Sequence, residues 1–83
     1  MSESNVREEV IDKVKEVIDA HFDDARCGIF DCRNWVGDPM YTIFEDEENK
    51  VTVDICYNYA YFEIFGLSDE EFKIVSDYYN DKK

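Results

Sequence analysis

The sequence predicts an α+β fold: an N-terminal helix, a three- to four-stranded antiparallel sheet and a C-terminal helix packed on that sheet. Three observations carry this expectation. Val6, Val10, Val14, Val17, Ile18 and Phe22, with Ile11, recur at the three- and four-residue spacings of an amphipathic helix across residues 5–24. Val51, Val53, Ile55 and Tyr57 alternate with Thr52, Asp54 and Cys56, the period of a strand with one buried face. Ser68 stands three residues before Glu71 and just before the apolar residues Phe72, Val75 and Tyr79, the pattern of a capped helix start.

The elements between these follow in order. Arg26 to Arg33 reads as a short first strand, and Asn34 to Pro39 as a loop, because it gathers Gly37, Asp38 and the only proline. Met40 to Phe44 is the next strand, and residues 45–50 (EDEENK) form an acidic hairpin connection to Val51–Tyr57. Asn58 tolerates a left-handed turn conformation, which lets Tyr59–Phe65 return antiparallel with Ala60, Phe62 and Ile64 inward. Leu67 is placed to staple onto Phe72, and Asp69 and Glu70 suit the positive end of the last helix. At 83 residues the chain reads as one domain, residues 1–83. At this size roughly 60–65% of the unfolded surface is buried, so one modest core is all it supports.

Composition narrows the function. Twenty-one Asp and Glu against nine Lys and Arg leave a formal charge of −12, while 16% of residues are aromatic. Acidic disordered tails have few aromatics, so this is a folded domain that carries a strong negative field. Such a field repels nucleic acid and anionic membranes, and it attracts basic proteins. The opening residues MSESNVREEV lack the apolar run of a signal peptide or a membrane span, which suggests a cytoplasmic protein. The odd number of cysteines (Cys27, Cys32 and Cys56) favours reduced thiols.

Projected at about 100° per residue, Glu8, Glu9, Asp12, Glu16, Asp19 and Asp23 fall on one arc of the first helix, with Lys13 and Lys15 at its flanks. Along this stripe Glu8, Asp12, Glu16, Asp19 and Asp23 step by roughly 4.5–6 Å. A rigid row of carboxylates at that pitch can meet Lys and Arg side chains positioned for a phosphate backbone. Glu45, Asp46, Glu47 and Glu48 in the hairpin, and Asp69, Glu70 and Glu71 at the last helix, extend the negative inventory. An ordinary solvated helix face is the plainer reading of the same stripe.

Trp35, Tyr59 and Tyr61 are the aromatic candidates for partner contact. Trp35 lies in a loop and Trp is common among binding hot spots, while Tyr59, Tyr61, Glu63 and Phe65 share the outer face of the last strand. The competing reading is that the two helices cover that face and make those aromatics core. His21 with the three thiols is the inventory of a structural zinc site, but Cys27 and Cys32 point to opposite faces of an extended segment, which argues against metal. No Gly-rich phosphate loop or nucleophile–base motif is present, so neither catalysis nor a cofactor is expected.

In size, charge and organisation the chain resembles the small acidic inhibitors of phages and mobile elements, the anti-CRISPR and anti-restriction proteins, and also nuclease-neutralising immunity proteins. That resemblance implies a non-enzymatic, stoichiometric inhibitor of a basic nucleic-acid-binding protein, such as a CRISPR effector or other nuclease. It transfers no residues. The alternative is a small adaptor, immunity or antitoxin-type module that binds a protein through the aromatics of Tyr57–Phe65, with the acids serving solubility.

Overall fold

The computed structural model describes residues 6–31, 41–56 and 60–83. Helix α1 (Glu8–His21) is followed by a 3-10 turn (Phe22–Asp24), then strands β1 (Gly28–Asp31), β2 (Tyr41–Asp46), β3 (Val51–Cys56) and β4 (Tyr61–Phe65), and helix α2 (Asp69–Lys82). The α+β class read from the sequence is the class observed. The strands form one sheet in the order β1-β4-β3-β2.

Two pairings are antiparallel, β2 with β3 and β3 with β4. The third corrects the all-antiparallel expectation, because β1 runs parallel to β4 with Ile29 opposite Phe62. Hydrophobic period assigns a residue to a strand but says nothing of that strand's partner or direction. β1 and β2, consecutive in sequence, stand at opposite edges of the sheet, so the partner of β1 is β4, which follows β2 and β3 in the chain.

The faces that spacing predicts to be apolar in α1, β3, β4 and α2 are the ones that meet in the core. Val10, Ile11, Val14 and Ile18 of α1 join Val51, Val53 and Ile55 of β3, Phe62 and Ile64 of β4, and Val75 and Tyr79 of α2 in one core. Tyr79 is fully buried: its ring meets Phe22 and Phe62, and its hydroxyl donates to the Ala25 carbonyl at 3.0 Å. Both helices therefore cover the Val53/Phe62 face of the sheet. The opposite face, with Tyr61 and Phe65, is not under the helices, contrary to the core reading of those aromatics.

Boundaries and one burial assignment differ from the expectation. The helix predicted to residue 24 ends at His21, where the 3-10 turn begins. Glu45 and Asp46 belong to β2 rather than to the connection, and a register irregularity between Thr42 and Phe44 interrupts the pairing with β3. Cys56, expected on the outer face, is nevertheless fully buried. Ala60 precedes β4 and takes the left-handed conformation (φ 54°), while Asn58 lies outside the described residues.

Two local devices fix the ends. At Gly66 (φ +93°) a Cβ would come within 2.0 Å of the Lys50 carbonyl oxygen, so only glycine lets β4 leave the sheet past the β2–β3 turn. The predicted capping box is present: the Glu71 amide donates to the Ser68 hydroxyl at 3.2 Å, and the Ser68 amide donates to Glu71 Oε1 at 2.8 Å. Ser68→Ala removes one half of that exchange and is expected to cost about 1 kcal/mol, lowering Tm by roughly 4–8 °C in a thermal melt.

Candidate functional site

The two helices run parallel, tied at their N-terminal ends by Arg7 and Glu71 and at their C-terminal ends by Asp19 and Lys82. With α1 seated on the core through Val10, Ile11, Val14 and Ile18, the opposite arc carries Glu8, Glu9, Asp12 and Glu16, all exposed. Asp23 continues them, exposed, in the 3-10 turn. Among the described residues none of these five carboxylates makes an ion pair.

The flanking lysines explain why. Lys13 reaches sideways to Asp46 of β2, at 3.8 Å, and Lys15 lies over the Tyr78 ring of α2, 5.2 Å from its centroid. Each cation is drawn off the stripe toward a neighbouring element. What remains includes Glu8, Asp12 and Glu16 at i, i+4 and i+8, a like-charge arrangement that works against the helix by roughly 0.2–0.5 kcal/mol per adjacent pair.

Arg7, immediately before α1, decides how the other acidic segments are placed. Its guanidinium donates to both carboxylate oxygens of Glu71 at 2.8 Å, to the Asn49 carbonyl at 2.8 Å and to the Gly66 carbonyl at 2.8 Å. Its own amide donates to Glu71 Oε2 at 2.7 Å. One side chain thus pins the start of α1, the β2–β3 turn and the start of α2 to one point. The acids of these segments, Glu8 and Glu9, Glu47 and Glu48, Asp69 and Glu70, converge on that end of the molecule as a consequence. Glu71 itself is fully buried, and the Arg7 guanidinium, with the Ser68 and Arg7 amides, holds its carboxyl down at about 2. Arg7 gave no sequence signal beyond its position before the helix, since its partners are up to 64 residues away.

Two of the predicted acidic candidates, Asp19 of the helix row and Asp46 of the hairpin, have internal work. Asp19 accepts from the Tyr78 hydroxyl at 2.8 Å and pairs with Lys82 at 2.9 Å, and these two partners lower its carboxyl below the usual range. Asp46 holds the hairpin turn, accepting from the Asn49 side-chain amide at 2.9 Å and from the Asn49 backbone at 3.1 Å, which lowers its carboxyl as well. Its side chain is only 8% exposed. Glu45, Glu47 and Glu48 are exposed around that turn, where they share the surface with Lys50 and Thr52.

Of the aromatic candidates, Trp35 and Tyr59 lie outside the described residues. Tyr61 is half-buried on the sheet face away from the helices, its ring edge-on to that of Phe30 at 5.0 Å. Beside it Asp54 and Glu63 face each other across β3 and β4, a like-charge register pair that is unfavourable in a sheet. Glu63 is 4% exposed, so this second face is not an open acidic surface. Among the described residues, the exposed aromatics Phe30 and Tyr41 sit on the two opposite edge strands and form no single patch.

Cys27 is an exposed free thiol and Cys56 a buried one. Among the described residues no group of three His, Cys, Asp or Glu side chains could hold a metal ion, and no helix is long and apolar enough to cross a membrane. No protein-family model, curated protein or solved structure matches this chain.

Proposed function

We propose that the chain is a non-enzymatic, stoichiometric inhibitor that occupies the basic nucleic-acid-binding surface of a nuclease or defence complex, in the manner of anti-CRISPR proteins that mimic DNA. One observation carries this reading: among the described residues, the exposed carboxylates Glu8, Glu9, Asp12 and Glu16 of α1 have no ion pair, although Lys13 and Lys15 stand on both sides of them and only Asp19 is paired, with Lys82. A merely solvated helix face has no reason to keep its lysines elsewhere, and an unneutralised array opposes the helix that holds it. Convergence of the hairpin and α2 acids on the Arg7 end supports the same reading, since it broadens one negative pole. The carboxylates stand in for phosphates, and the mechanism is competition for the partner's Lys and Arg side chains, with charge complementarity acting mainly on the association rate. The adaptor alternative has less support, because among the described residues the exposed aromatics Phe30 and Tyr41 are split between opposite edges of the sheet.

The test is a panel of purified RNA-guided and restriction nucleases, each mixed with an equimolar amount of the chain before labelled target DNA is added. The expected result is that a panel member loses DNA binding stoichiometrically and regains it as competing DNA is raised. A panel in which every enzyme keeps its DNA, or in which cleavage stops while DNA stays bound, overturns the proposal.

A further inference from the structure

The seam between α1 and α2 is occupied along its C-terminal half by the chain's own cations. Lys15 and Lys82 bring their ammonium groups within 5.2 and 5.7 Å of the Tyr78 ring centroid, and Lys82 also pairs with Asp19. One turn nearer the N-termini the same seam opens into a groove of about 300 Å³, lined by Val6, Glu8, Ile11, Asp12, Lys15 and Ile74. Its floor is apolar and its rim acidic. Ile74 is 37% exposed there, an unusual place for a large aliphatic side chain on a helix rich in charge, and Glu8 and Asp12 have no ion pair among the described residues. Lys15, the one cation at the wall, sends its ammonium away to Tyr78.

We propose that this groove receives one long cationic side chain, a lysine or arginine, from the basic surface of the partner. The methylene stem lies against Ile11 and Ile74, and the charged head lies between Glu8 and Asp12. The chemistry suits both parts of such a side chain, because lysine and arginine bury their stems on apolar surface while the head seeks counter-charge. One turn away the seam already holds cationic heads, with the Lys15 and Lys82 ammonium groups over the Tyr78 ring and Lys82 paired with Asp19. The inference rests on the inhibitor reading and adds to it a defined pocket, so that recognition is not a matter of diffuse charge alone.

An acetylated, amidated hexalysine peptide serves as the probe, titrated into the full chain at low salt and followed through the methyl resonances. The expected result is that the Ile11 and Ile74 δ-methyl signals move first and show intermolecular contacts to lysine methylenes. Ile74→Trp fills the groove without changing any charge and is expected to weaken the peptide at least fivefold, whereas Asp81→Asn, which removes an exposed charge off the stripe and away from the groove, weakens it less than twofold. Unchanged affinity in Ile74→Trp overturns the pocket. So does a titration in which the Ile11 and Ile74 methyls stay still while Glu16 and Asp23 shift. Either failure leaves the inhibitor reading standing, because that reading needs only the array; its own failure is seen in the nuclease panel. Should Ile74→Trp not fold, the methylene contacts in the unaltered chain decide the matter.

Discussion

Glu71→Ala is expected to remove about 2–3 kcal/mol of stability, the largest expected effect of a substitution at a charged position in this chain, held below the fully buried limit because the Arg7 side chain it strands is 36% exposed and regains water. The reason is the asymmetry of a buried ion pair. Forming it yields little net free energy, because both ions must leave water, but deleting one partner strands the other without its counter-charge. Here the stranded group is Arg7, which would keep its bonds to the Asn49 and Gly66 carbonyls and lose both bonds to the carboxylate. The helix start loses half of its capping box in the same step. A domain of this length has roughly 4–12 kcal/mol in total, at ~0.05–0.15 kcal/mol per residue, so the variant is brought close to unfolding at ambient temperature. Urea denaturation measures the loss. Arg7→Ala combined with Glu71→Ala should be less damaging than the sum of the two by at least about 1 kcal/mol, and simple additivity would mean that the pair does not act as a unit.

The same residue sets an acid limit, and its direction follows from linkage. The folded Glu71 carboxyl is held at about 2 against an ordinary value of 4.5, so the native state resists protonation that the unfolded chain accepts. Its contribution is complete above about pH 4.5 and fades as pH falls toward 2, an amount of about 3 kcal/mol at 1.36 kcal/mol per pH unit. The mutational and titration figures agree in size. The contribution of Glu71 is read from the difference between the parent and Glu71→Gln stability curves between pH 5 and pH 2, which should narrow steadily toward low pH. A constant difference would show that Glu71 is not ionised by Arg7 in the way the geometry implies.

Much of the fold was legible because its signals are local. Val10, Ile11, Val14 and Ile18 announce the buried face of α1 through spacing alone, and Ser68 with Glu71 announces the start of α2 through two side chains that satisfy each other's backbone. The parallel placement of β1 was not legible, because a four-residue strand has no periodicity that names its neighbour. The site divides in the same way. Glu8, Asp12 and Glu16 could be placed on one arc from helical geometry. Asp19 could not be told apart from them, because its difference lies in Tyr78, 59 residues away. Asp46 is a different case: its partner Asn49 is only three residues on, a local turn signal that the run of acids around it obscured. Arg7, which gathers three acidic segments at one end, was silent for the same reason as Asp19: its partners are distant in sequence and adjacent only after folding.

Glu8→Gln, Asp12→Asn and Glu16→Gln, made together, should separate binding from folding. Removing these charges ends two i, i+4 repulsions, a gain of roughly 0.4–1 kcal/mol in all. It also removes one first-turn acid from the positive end of the helix dipole, a loss of roughly 0.3–1 kcal/mol. The terms offset, so the triple variant should match the parent in stability to within about 0.5 kcal/mol. Binding has no such compensation. Steering by a charged surface raises association rates by factors of roughly 10 to 10³, and three carboxylates at the centre of the array should account for at least about tenfold at low salt. Total charge could produce a slower rate without any array, so the matched control is Asp24→Asn, Asp77→Asn and Asp81→Asn, which lowers the negative charge equally at positions off the stripe. If the array is what the partner reads, the control associates nearly as fast as the parent, and the gap between the two triple variants closes near 1 M salt, where the screening length is about 3 Å. Equal slowing of both variants would reduce the surface to undirected negative charge, and with it the resemblance to a phosphate backbone.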